Sequence, residues 1–153
     1  MLTIIGCGNL NRSDDAVGVI IAQRLQQYLL TNPHPHLRVY DCGTGGMDVM
    51  FKARGSKQLI IIDASSTGSE PGAIFKVPGK ELAALPEPSY NLHDFRWDHA
   101  LAAGRKIFGQ DFPEEVTVYL IEAANLDLGL ELSPVVQSAA DSVFQQLTKL
   151  ISQ

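Results

Sequence analysis

IIGCGNLNRSDDAVGVIIAQRLQQYL, residues 4–29, decides the fold, because it carries an apolar strand through a glycine turn into an amphipathic helix. The strand is LTIIG (2–6), short and rich in β-branched residues. The helix is expected over 15–31, where Val17, Ile20, Ile21, Leu25, Tyr28 and Leu29 keep helical spacing. A strand, glycine turn and helix in this order resemble a dinucleotide-binding fingerprint. That motif needs three glycines, and Asn11 stands where the third belongs after Gly6 and Gly8. Asp14 and Asp15 sit at the helix N-terminus, where they would repel the pyrophosphate that the helix dipole attracts. A P-loop is excluded as well, since no GK[ST] follows the turn. The stretch does not bind a nucleotide phosphate.

Working outward, strand and helix patterns alternate. LRVYD (37–41) reads as a second strand, CGTGG (42–46) as a glycine turn, and 46–54 as a short helix. QLIIID (58–63) is apolar almost throughout, as in a strand covered on both faces. GAIFKV (72–77) follows a loop too short for a crossover helix and is expected as an antiparallel edge strand. A helix is expected over 94–108, a last strand at VTVYLIEA (116–123), and a closing helix over 132–151 with Ser133 as N-cap and Pro134 first. The fold class that follows is α/β. It is a three-layer α/β/α single domain, with a mostly parallel, twisted five-stranded sheet, one antiparallel edge strand and helices on both faces.

Composition narrows the function. The chain has 153 residues, enough for a core without disulfides or a structural metal. Its net charge of −5 argues against a nucleic-acid partner, which would meet a basic face. Met1 leads directly into a strand rather than a secretory signal, and no apolar run approaches a membrane span. The two cysteines, Cys7 and Cys42, have no metal-type spacing, which suits a reducing cytoplasm. A cytoplasmic protein with no nucleic-acid or membrane partner is expected.

In an open doubly wound sheet, ligands bind beyond the carboxyl ends of the strands. Asn9, Asp14 and Asp15 follow the first strand, Asp41 ends the second, and Asp63 ends the third. Three successive strands thus bring carboxylates to one edge, which is costly without a cation or shared protons. Capping of the helix needs only Ser13 or Asp14. Asp41 either positions or deprotonates a reacting group, or forms an Asx turn before Gly43. Of the four histidines, His34 and His36 flank Pro35 in an exposed break, and His99 lies within a helical pattern. His93, in the loop before the 94–108 helix, is the candidate to complete the carboxylate set, with His99 the fallback. One nitrogen with two or three oxygens suits a divalent transition metal.

GCGNLNRSDDAVG, then DCGTGG, LIIIDA and a later histidine, resemble the hydrogenase maturation endopeptidase family. The family pattern G-x-G-N-x-L-x-x-D-[DE]-x-x-G is met at Gly6, Gly8, Asn9, Asp14, Asp15 and Gly18, and its D-G-G-T pattern falls on Asp41, Cys42, Gly43 and Thr44. Asp15 stands where many members have glutamate, and RWDH (96–99) lies outside the pattern. The resemblance implies a protease that removes a C-terminal extension from the precursor of a [NiFe] hydrogenase large subunit. It implies nickel contacts from Asp15, Asp63 and His93, with Asp15, Asp63 and Asp41 as the candidate catalytic carboxylates. The nickel is carried by the substrate precursor, and no permanently bound cofactor is expected.

Two other functions compete. A peptidyl-tRNA hydrolase-like esterase also opens with a strand and a G-x-G-N turn, but needs a basic face and an early histidine. This chain is acidic and has no histidine before His34. A non-catalytic nickel or maturation-scaffold module needs the same residues without the hydrolysis. Cys7 and Cys42 beside the proposed site are read as small buried fillers rather than nucleophiles.

Overall fold

The structure, a computed structural model, describes residues 1–84 and 97–153. In chain order its elements are β1 (Leu2–Cys7), α1 (Val17–Thr31), β2 (Leu37–Gly43), α2 (Gly46–Ala53), β3 (Gln58–Ser65), β4 (Ile74–Pro78), α3 (Trp97–Phe108), β5 (Glu115–Glu122) and α4 (Pro134–Ile151). The strands form one sheet in the order β2-β1-β3-β5-β4. β1 pairs in parallel with β2 and β3, β3 pairs in parallel with β5, and β4 closes the edge antiparallel to β5. The expected architecture is the one found.

Period-2 alternation gives the sheet two buried faces. Ile4, Ile60, Ile62, Tyr119 and Ile121 pack with Val17, Ile21 and Leu25 of α1 and Val136, Val143 and Leu147 of α4. On the other face Ile5, Leu59, Ile61, Val118 and Leu120 pack with Val49 and Met50 of α2 and Trp97, Ala100 and Leu101 of α3. The central strands β1 and β3 are therefore apolar at almost every position, as strands covered on both sides must be. Each fully buried Ile or Leu here removes enough apolar surface to contribute roughly 1.5–3 kcal/mol.

Element boundaries differ from the expected ones where side chains redirect the backbone. The α-form of the first helix starts at Val17, two residues later than expected, because Ser13–Ala16 is a 3-10 turn. Ser13 has φ +51°, held by its N–H on the Gly129 carbonyl (2.9 Å) and its hydroxyl on the Asp127 carbonyl (2.8 Å). β3 continues two residues past Asp63, because its pairing with β5 runs on to Ser65 opposite Glu122. β4 begins at Ile74 rather than 72, since the Gly72 N–H turns back onto the Glu122 carbonyl. Ser133 and Pro134 occupy the expected N-cap and first-turn places of α4, but no side chain caps that helix. Residues 94–96 of the expected 94–108 helix lie outside the described residues.

Candidate active site

The sheet order places a topological switch between β1 and β3. From β1 the chain crosses through α1 on one face to reach β2. It then returns through α2 on the other face to reach β3. In folds of this kind ligands bind beyond the carboxyl ends of the strands at such a switch point.

Glycines press α1 against that switch point. A Cβ on Gly18 would lie 2.2 Å from the Ile62 carbonyl oxygen and 2.5 Å from that of Cys7. A Cβ on Gly6 would lie 2.2 Å from the Gly18 carbonyl oxygen. Gly8, at φ +144°, leaves room for the Asp15 carbonyl, which a Cβ would meet at 1.9 Å. The glycines of the opening stretch thus permit helix–strand contact rather than phosphate binding. As a result the Ser13–Ala16 turn packs directly on β3.

Asp15 and Asp63 are both buried, and both lie near enough to Cys7 for their charges to act on its thiol. Asp15 is only 2% exposed, and its Oδ2 accepts the Asn9 N–H at 2.9 Å across the glycine turn. Asp63 is 3% exposed, on the α2/α3 face of β3; its Oδ1 accepts the Ala64 N–H at 2.8 Å and its Oδ2 the Trp97 indole N–H at 2.9 Å. Cys7 follows Gly6, the residue paired with Ile62, and packs into the same face of the sheet. Burial raises the Cys7 thiol well above its ordinary value, and the charges of Asp63, Cys42, Asp41 and Asp15 add to the shift. Burial likewise pushes Cys42 up to about 12, with Asp48 and Asp41 adding and Lys52 opposing. Both are protonated, buried thiols rather than activated nucleophiles.

The remaining candidates separate. Asp41 is exposed on edge strand β2; its Oδ1 accepts the Gly43 N–H (2.9 Å) and its Oδ2 the Gln23 amide (3.1 Å). The first bond is the Asx turn, and the second turns Asp41 toward α1, on the opposite face of the sheet from Asp63. Asp41 still borders an open notch of about 270 Å³ lined also by Gly8, Asn9, Leu10 and Thr44. Asp14 does not cap the helix. Its carboxylate accepts four hydrogen bonds from the 124–133 segment, described below. His99 is exposed, whereas the inward face of α3 carries Trp97, Ala100, Leu101 and Gly104. His93 lies outside the described residues. Among the described residues, no group of three or more His, Cys, Asp and Glu is arranged to hold an ion.

Two buried polar features were missed in the sequence. Glu122, 3% exposed at the end of β5, accepts the Thr67 N–H (2.9 Å), the Thr67 hydroxyl (2.8 Å) and the Ser65 hydroxyl (3.1 Å). The rule that found Asp41 and Asp63 finds it too, since it is the carboxylate at the end of another parallel strand. Trp97 stood only as a neighbour of His99, and nothing in sequence spacing links it to Asp63.

Residues 19–150 match the family model described as hydrogenase maturation protease. The chain belongs to that family. Membership makes it a hydrolase, an endopeptidase of hydrogenase maturation. The Escherichia coli K12 hydrogenase 2 maturation protease is 28% identical over 148 residues, 95% of this chain and 87% of that one. The solved structure of the E. coli hydrogenase maturating endopeptidase HybD superimposes with a TM-score of 0.82 at 25% identity, over 99% of this chain and 91% of that one. The maturation protease HybD of Thermococcus kodakarensis shares the fold at a TM-score of 0.79 and 23% identity, over 98% of both chains. Among the described residues no helix is long and apolar enough to cross a membrane.

Proposed function

We propose that this hydrogenase maturation protease removes a C-terminal extension from the nickel-loaded precursor of a [NiFe] hydrogenase large subunit, in the cytoplasm. Asp15, Asp63 and His93 contact the nickel that the substrate carries. The observation that supports the reading is that Asp15 and Asp63, each almost fully buried and on separate elements, both act on the thiol of Cys7 at the end of β1. Two carboxylates in such a place are stabilised by a cation between them, and oxygen donors with one imidazole suit a borderline divalent metal.

The chemistry follows from that arrangement. Substrate nickel held against Asp15 and Asp63 brings the adjoining peptide bond to the switch point. There a carboxylate would take the proton of the attacking water and pass it to the amide nitrogen as the C–N bond breaks, and the cation would polarise the carbonyl. Cleavage therefore waits on nickel insertion, since an unloaded precursor lacks the group the aspartates recognise. Asp41, beside the open notch, takes a positioning part toward the incoming chain rather than toward the metal. Co-expression with candidate large subunits, with mass spectrometry reading the loss of the C-terminal extension, identifies the substrate. A loaded precursor left at full length by every pairing refutes the proposal.

A further inference from the structure

We infer that Trp97 is the positioning residue of Asp63, an inference that rests on the reading of Asp63 as a contact to substrate nickel. The indole Nε1–H lies 2.9 Å from Asp63 Oδ2, and the ring is 4% exposed. It is wedged in the core cluster with Leu101, Phe112 and Leu120, so the donor is fixed in direction by packing. With the Ala64 N–H on Oδ1, each oxygen of Asp63 has a donor supplied by a rigid element. The carboxylate plane is thereby set before substrate arrives, which is what lowers the cost of reaching a reactive geometry.

The chemical type of the donor matters. An indole donates one hydrogen bond, accepts none and carries no charge. Arginine or lysine would hold Asp63 equally well, but would neutralise it and repel an approaching cation. Tryptophan orients the carboxylate without itself placing a positive charge beside it. It also couples the sheet edge to the first turn of α3, because Trp97 is the first residue of that helix.

Trp97 is the only tryptophan in the chain, so replacing tryptophan throughout the protein alters this position alone. β-(3-Benzothienyl)alanine keeps the bicyclic shape and replaces N–H by sulfur, whereas 5-fluorotryptophan keeps the N–H. Both proteins, with Trp97→Phe as a third, are assayed on the nickel-loaded precursor that the wild type shortens, with thermal midpoints in parallel. Loss of one hydrogen bond to a charged group lowers kcat about 10- to 100-fold in the benzothienyl and Phe proteins. KM stays within about threefold, since the oriented carboxylate acts at the reacting centre rather than in docking. The 5-fluorotryptophan protein retains the wild-type kcat.

A benzothienyl protein as fast as the 5-fluorotryptophan one overturns the proposal and leaves Trp97 a packing residue. So does a rate that falls in both analogues in step with the thermal midpoint. Failure of the underlying reading is distinct and is seen first, as a wild type that leaves loaded precursor uncut. That result removes the positioning role with it.

Discussion

Ser133 donates both its backbone N–H (2.7 Å) and its hydroxyl (2.8 Å) to the carboxylate of Asp14, 119 residues earlier. The Ala124 and Asn125 N–H groups complete the set at 2.8 and 2.9 Å on the same carboxylate, which is 0% exposed. Asp14 therefore ties the turn before α1 to the segment between β5 and α4. Its neighbour Asp15 faces Asn9 across the glycine turn. Adjacent carboxylates thus have separate partners, one holding distant loops together and one turned to the backbone of the glycine turn.

Asp14→Asn replaces an acceptor-only carboxylate by an amide whose NH₂ must face an N–H or O–H donor. We expect a loss of about 3 kcal/mol in urea unfolding, from disrupted charge-assisted bonds in a buried place. Processing should fall only as far as the folded fraction falls. The sequence offered Asp14 as a helix cap, a role whose loss costs about 1 kcal/mol. The four bonds to 124–133 replace that view.

Gly18→Ala tests the close approach of α1 to the sheet. The new Cβ would meet backbone carbonyls of Ile62 and Cys7 rather than side chains that can move aside. Overpacking against backbone should cost about 3 kcal/mol or more, read from the shift of the denaturation midpoint. Gly55→Ala is the contrast. No atom lies within 4 Å of its Cβ position, so the effect there comes only from its φ of +86°.

The thiols give a pH prediction. Cys42 is raised from 9.0 to about 12 in the folded protein, so the fold favours the protonated thiol. Its contribution is fully present below pH about 9 and is lost as pH rises toward about 12. Stability should fall over that window, and Cys42→Ala should flatten the fall. Urea midpoints measured across alkaline pH check this; a profile identical in the variant would remove Cys42 as a cause. Folded protein at neutral pH should also resist iodoacetamide at both cysteines, with rapid labelling only after unfolding.

Much of this was legible in the sequence because it depended on periodicity. β1, β3 and α1 are long apolar patterns flanked by glycines, and the aspartates after β1 and within β3 follow from the strand-end rule. What escaped depended on contacts between distant segments. Nothing local in LELSP says that Ser133 turns to Asp14 instead of capping α4. Nothing in RWDH says that Trp97 donates to Asp63. The start of α1 moved to Val17 because Ser13 bonds the distant carbonyls of Asp127 and Gly129, and no propensity scale contains those partners.

Cleavage of one large-subunit precursor, loaded with nickel or prepared without it, by wild type, Asp15→Asn and Asp63→Asn tests the central claim most directly. The amide variants keep size but lose the charge; at Asp63, where both oxygens accept N–H groups, the amide also loses one acceptor, so thermal midpoints are read in parallel. The expected result is shortening of loaded precursor by wild type alone, with both variants folded and slower by at least about 1,000-fold, equivalent to about 4 kcal/mol of lost transition-state stabilisation. Wild type that cuts unloaded precursor equally fast, or Asn variants that cut at the wild-type rate, would contradict the assignment of Asp15 and Asp63 to substrate nickel.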